Sequence, residues 1–389
     1  MKAQRLLIFV SVLIMVLSVS CFSPWRGDEG NLTIVWGKPS AARFMNEEEF
    51  FHSAFKVILT GPGEKQEHFF RQGVPSATFA VTPGTWTVTI KGGPAPTNQA
   101  GVVQDELFDI RVMGISQVEV MPGKNAPKVI PMYTATIVYR WVDLDHLIKE
   151  NNEHYYDELD VYNRSREELF IIGESFDFSE MEELFYGAGE FYGDTIYINR
   201  PIILIAEDNV TIGRPDYDDP STFPPFFVVS DGGTLTLGLP GMAGTLTFDN
   251  RDFESDSLII VDGGSEPGKL IMNSGVTLKN GFFPWQNGSV LVIRGYAEGP
   301  DVMPGGTFIM NGGTITSNHT RLFESDPNGG GNPLPEYAPG GGVFVVKGYD
   351  LLDDESGLVM TVPSGTFIRN GGVISGNIPY NVYYGDAAM

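Results

Sequence analysis

The chain has 389 residues, with 42 % hydrophobic residues, 47 Gly and a formal net charge of −24. That much apolar material excludes global disorder, and the length leaves room for two or three domains. The acid excess is uneven. Residues 21–133 hold 10 Lys+Arg against 11 Asp+Glu, a net of −1, whereas residues 134–389 hold 13 against 38, a net of −25. A surface of that sign repels phosphate backbones and excludes nucleic acid as a general partner.

The first element is apolar. Lys2 and Arg5 precede a run from Leu6 to Leu17, small residues follow, and then comes Cys21, the one cysteine of the chain. The run is short for a bilayer span. A single cysteine also rules out an internal disulfide and a cysteine-built zinc site. Residues 1–20 resemble the lipoprotein signal peptide of bacteria, which is cut before a cysteine that is then diacylated. Ser18 stands where such signals prefer Leu. The resemblance implies lipidation of Cys21, a membrane as partner, and a place in the bacterial envelope, at the outer membrane or cell surface. Acyl chains contribute about 0.8 kcal/mol per buried methylene to such an anchor.

Residues 21–30 read as a polar tether. Residues 31–133 then alternate apolar and polar side chains in "NLTIVWG", "FKVILTG", "ATFAV", "TWTVTIKG", "LFDIRVMG", "SQVEVM" and "PKVIPM". Alternation marks half-buried strands, and Pro83-Gly84 is a turn signal between two of them. About seven strands in this span predict a β-sandwich. It resembles the Ig-like or transthyretin-like modules that follow lipid anchors in bacterial surface proteins, where such a module serves as a spacer. Residues 134–195 change pattern. Leu144, Leu147 and Ile148 fall at helical spacing, and "FSEMEELFYGAGE" is a second candidate helix. The span reads as a helical cap.

From 196 to 389 the chain is a series of short β runs broken by Gly and Asn. "GGTFIMNGGTITSN" (305–318) and "SGTFIRNGGVISGN" (364–377) match at nine of fourteen positions, and "SVLVIRGY" (289–296) matches "GVFVVKGY" (342–349). The offsets, 59 and 53, differ by six residues, which fits an insertion within "DLLDDESG". A weaker copy begins at Leu270-Ile271-Met272-Asn273. Ordered repeats whose length changes sit in loops suit stacked rungs. The stretch resembles the right-handed parallel β-helix of pectin-lyase-like proteins, as found in repetitive bacterial lipoproteins. The resemblance rests on "WVDL" (141–144), "INRPIILIAEDNVTI", "VVSDGGTLTLG" and the two long repeats, and spans residues 135–385. The predicted fold class is therefore mainly β: a sandwich, a short helical cap and a parallel β-helix. In such a coil Phe308 and Phe367, with Ile315 and Ile374, form inward ladders. Asn311 and Asn370 lie at a corner that needs positive φ.

The chemistry is sparse. Asp216, Asp218, Asp219, Asp252, Glu254, Asp256, Asp350, Asp353, Asp354 and Glu355 gather in loops that could hold Ca²⁺, but the spacing matches no calcium motif, and solvated loop acids are the simpler reading. No other cofactor is implied. Hydrolases of the resembled family use paired acids on strands, and its lyases use a basic residue with Ca²⁺. Here the strand runs carry few charges. Arg251, Arg294 and Lys347 are the candidate bases, and Arg294 and Lys347 share a repeat position. Five histidines show no metal spacing, and no nucleophile motif marks a hydrolase. Aromatics are the best sign of binding: Phe282, Phe283 and Trp285 crowd one loop, and Tyr296 and Tyr349 share a repeat position. Flat rings stack on sugars or anchor a protein partner. The expected function is a structural, adhesive, glycan-binding or protein-binding role at the envelope, with a polysaccharide lyase or glycoside hydrolase as the alternative.

Overall fold

The computed structural model describes residues 29–36, 54–71, 74–94, 110–153, 167–177, 195–214, 224–255, 257–283, 288–298, 301–320, 341–352, 359–378 and 380–385. Cys21, the candidate helix at 178–190 and Trp285 lie outside the described residues. The protein is mainly β, with one helix among the described residues, α1 (Trp141–Glu153). No described helix is long and apolar enough to cross a membrane.

The C-terminal part is a parallel β-solenoid of about five turns. Each turn contributes one strand to each of three sheets. The first sheet stacks Glu168–Ile172, Pro201–Ala206, Thr234–Leu237, Lys269–Met272, Thr307–Met310 and Thr366–Arg369. The second runs from Phe176–Asp177 to Val373–Ser375, and the third from Ile196–Ile198 to Val382–Gly385. The repeat offsets are the rung register itself: Val290 pairs with Val343, Phe308 with Phe367 and Ile315 with Ile374. Leu270 of the weaker copy pairs with Phe308.

Parallel pairing stacks like residues, so the core is a set of columns. Ile212, Phe248, Leu278, Ile315 and Ile374 form one of them. Ile202, Leu235, Leu270, Phe308 and Phe367 form another, with the last two rings stacked at 5.0 Å and 22°. The inward assignment of Phe308, Phe367, Ile315 and Ile374 therefore holds: all four pack in the central cluster, Phe367 only partly buried.

The repeated Asn has a different job from the one expected. The positive φ sits on the second glycine of each pair, at Gly313 (83°) and Gly372 (79°). The Asn side chains make a ladder instead. Asn370 Nδ2 donates to Asn311 Oδ1 at 2.8 Å, Asn311 Nδ2 to Asn273 Oδ1 at 3.1 Å, and Asn273 Nδ2 to the Gly238 carbonyl at 2.8 Å. The Asn that ends each repeat builds a second ladder, with Asn318 Nδ2 donating to Asn377 Oδ1 at 2.9 Å. Each amide both donates and accepts along the stack, so buried polar atoms at the corners are satisfied by the rung below or above.

The coil begins before residue 196. Glu168–Ile172 already belongs to the first sheet, and it pairs with Tyr133–Val138 on its other side. α1 lies against this end. Trp141, Leu144 and Ile148 are buried in the solenoid core, and Leu147 packs on it. The stretch from Asn377 onward, which reads as a closing cap, instead supplies the last strand of the third sheet, Val382–Gly385.

The N-terminal residues form strands close to those expected, plus Gln66–Phe70, which has weak alternation. Gly30–Val35 pairs with Ser76–Val81 in one sheet. Ala54–Thr60, Gly84–Gly93 and Val112–Val120 pair in the other. The strands either side of Pro83-Gly84 thus lie in different sheets and do not pair with each other. Both sheets feed one cluster around Trp36, Phe55, Trp86 and Ile90. The second of these sheets does not stop at residue 133. Val112 and Met113 pair antiparallel with Thr134 and Tyr133, and the sheet continues into the solenoid as eleven strands. A third cluster seals the junction, with Met113 and Ile115 against Leu169, Ile171, Ile203 and Ile205. Lys91 Nζ reaches Glu207 at 2.5 Å across it.

Candidate ligand-binding face

Two antiparallel ribbons leave the coil at the same corner, between the third sheet and the first. Ala297–Glu298 pairs with Asp301–Val302, and one rung further on Tyr349–Leu352 pairs with Val359–Val362. The second ribbon is the longer. The six extra residues expected within "DLLDDESG" fall there. The motif ahead of each ribbon, Arg294-Gly295-Tyr296 and Lys347-Gly348-Tyr349, has a steric cause. A Cβ on Gly295 would stand 1.9 Å from the Met303 carbonyl oxygen, and one on Gly348 would stand 1.9 Å from that of Val362. Only glycine lets the outgoing and returning backbones pass so closely.

Tyr296 and Tyr349 are consequently held at the base of these ribbons and face solvent, together with Val302, Leu351 and Val359. The Arg294 guanidinium carbon lies 4.5 Å from the centre of the Tyr349 ring, linking the two rungs by a cation–π contact. Asp350 Oδ1 accepts a hydrogen bond from Thr361 Oγ1 at 2.8 Å, which pins the second ribbon. The result is a patch of two tyrosine faces, aliphatic neighbours and two basic groups.

Two carboxylates flank the same corner on earlier rungs. Burial pushes the Asp262 carboxyl up and the charge of Asp231 adds to this, against a 2.9 Å hydrogen bond from the Gly263 N–H that pulls it down. Asp231 has φ 49°, in the tight turn that brings the chain from the third sheet to the first. Nothing in the sequence pointed to this pair. Its only signal is that "SDGG" and "VDGG" recur at the corner.

The other aromatics lie elsewhere. Phe282–Phe283 forms a short strand that pairs with His319–Thr320, at the corner between the second and third sheets. Phe283 points into the core and has no exposed face. Phe282 is half-buried and stacks on the His319 ring at 4.9 Å. The structure therefore brings Tyr296 and Tyr349 together and places Phe282 and Phe283 at a different corner.

The acid loops show no assembled cation site: among the described residues, no three His, Cys, Asp or Glu groups converge. Asp216, Asp218, Asp219, Asp256, Asp353, Asp354 and Glu355 lie outside the described residues. Asp252 and Arg251 occupy a turn with φ of 61° and 52°. Nearby, burial raises the Asp249 carboxyl. Hydrogen bonds from Lys279 Nζ (2.9 Å), the Arg251 N–H (2.9 Å) and Asn280 Nδ2 (2.8 Å) outweigh this and hold it below the usual range. That set is an internal ion-pair network on the outside of the second sheet, already satisfied. In comparisons with known proteins, no family model, no curated protein and no solved structure matches this chain.

Proposed function

We propose that the chain is a lipid-anchored protein of the bacterial envelope that binds a glycan through the Tyr296–Tyr349 face. On this reading Cys21 carries the lipid, and residues 31–133 form an Ig-like or transthyretin-like sandwich that acts as a spacer. The coil is a right-handed parallel β-helix of the pectin-lyase-like kind. The observation that carries the reading is the pair of stacked ribbons. Each exposes a tyrosine at its base, and glycine makes that geometry obligatory. Two rings held on adjacent rungs of a rigid coil suit the successive units of a polymer, since little ordering is left to do on binding. The acid excess of residues 134–389 favours a neutral glycan over a uronate.

A glycan array probed with the full-length chain in detergent tests this. Tyr296→Ala and Tyr349→Ala should each weaken binding about 3- to 10-fold, in line with about 0.5–1.5 kcal/mol per stacked ring. Cys21→Ser should abolish labelling by a fatty-acid analogue and move the protein to the soluble fraction. Binding that ignores both tyrosines refutes the face, and unchanged membrane retention refutes the anchor.

One observation favours a second reading, a polysaccharide lyase or glycoside hydrolase. Asp262 has a raised carboxyl beside Asp231, and unequal acids of this kind serve acid–base chemistry. New reducing ends or unsaturated products from pectate, alginate or xylan, lost in Asp262→Asn, would establish it.

A further inference from the structure

We propose that the C-terminal end of the coil is the face on which two copies of this chain pair. All three solenoid sheets stop at the same rung, with Thr366–Arg369, Val373–Ser375 and Val382–Gly385 as their outermost strands. The minor column at the corner between the second and third sheets stops there too, at Ile378. An outermost strand presents N–H and C=O groups along one side, which is a template for another strand.

The side chains agree with an end meant to be covered. Val373 is 51 % exposed and Ile378 57 %. Tyr384 continues the inward column of Ile198, Val229, Val261, Val292 and Val345, yet it is 49 % exposed. A core position that meets solvent marks an unfinished core. The asparagine ladder likewise ends on this rung, at Asn370.

Charge selects the partner. The chain holds 49 acids, but residues 366–385 hold none, and Arg369 is their one charged residue. Natural edges are usually blunted by charge. An acidic chain that clears one end of charge removes the repulsion that would otherwise keep its own copies apart. A rung of this length also matches the roughly 20–30 residues a side that a stable interface takes.

The opposite end fixes the geometry. There α1 covers the core, and the first sheet continues into the N-terminal strands. A head-to-tail stack would need that end open, so pairing joins two C-terminal ends across a twofold axis. The two outermost rungs then meet antiparallel, and the assembly closes at two copies.

The test is sedimentation of the full-length chain in detergent, with circular dichroism to check folding. The wild type should sediment as a dimer. Val373→Lys and Ile378→Lys together should weaken association by about a hundredfold or more, because the twofold axis brings each new charge towards its own copy. Val359→Lys, on the exposed ribbon, should leave the dimer intact. The proposal is overturned by a wild type that is monomeric at every concentration. Dimers that survive the double substitution, open chains longer than two copies, or a monomer that takes up an added extended peptide at this edge would overturn it equally.

Discussion

Shortening Ile315 to Ala tests the coil at its centre. Ile315 is fully buried, with Leu278 on one side and Ile374 on the other in its column. The substitution removes three carbons, worth about 2.4 kcal/mol at about 0.8 kcal/mol each. A cavity term adds to this, because both neighbours are fixed by ladder bonds and cannot collapse into the gap. The sum is about 3–4 kcal/mol, inside the range of about 2–5 for such truncations. Ile374, on the last rung and with a neighbour on one side, should lose only about 1–2 kcal/mol on the same change. Thr316→Ala, next to Ile315 but facing outward, should cost under about 0.5 kcal/mol. Thermal unfolding followed by far-UV circular dichroism should place Ile315→Ala roughly 10 °C below the wild type, at about 2–4 °C per kcal/mol. Ile315→Asp adds an unpaired buried charge and should abolish the transition. The register is wrong if Ile315→Ala costs no more than Thr316→Ala.

Asn318→Ala should cost about 2–4 kcal/mol, because Asn318 Oδ1 accepts the buried Gly281 N–H at 2.8 Å and its amide serves Thr316 and Asn377; urea unfolding measures it, and Asn311→Ala in the more exposed ladder should cost only about 1 kcal/mol. The Asp249 carboxyl is depressed in the folded state. Its contribution is therefore present above the unfolded value, near 3.9, and is lost as the pH falls through the lower folded value. Lys279→Met should flatten that acid limb, by no more than about 1 kcal/mol for a pair whose lysine is partly exposed, as read from unfolding midpoints across pH 2–6.

Where one face of a strand meets solvent, the sequence can be read directly. Thr245–Asp249 and Thr314–Thr316 alternate, and their register follows from counting between repeats. Glu168–Ile172 escapes the same reasoning. Four of its five residues are buried, because its outer face lies under Met113 and Ile115 of the N-terminal strands. A strand packed on both faces has no alternation left to detect. "PIILIA" at 201–206 is continuous for the same reason, and it could have signalled that something docks there. The tyrosines were legible as repeat-matched positions, and the ribbons they introduce were not, since Gly295 and Gly348 acquire meaning only from the returning backbone. Phe282 and Phe283 were adjacent in sequence, but strand geometry sent one inward and left the other at the surface.

The unbroken eleven-strand sheet bears on mechanics. A chain tethered at one end and loaded at the other usually gives way first at a joint between modules. Here the junction at Tyr133–Val138 is a run of backbone hydrogen bonds within one sheet, backed by the Met113–Ile203 cluster and the Lys91–Glu207 pair. Tension would have to unzip strands instead of opening a hinge. The coil is thus a lever fixed at its root. Its five or so turns, at about 4.8 Å each, carry the last rung roughly 25 Å beyond that root, and inserting or deleting a rung would change the reach in steps of that size.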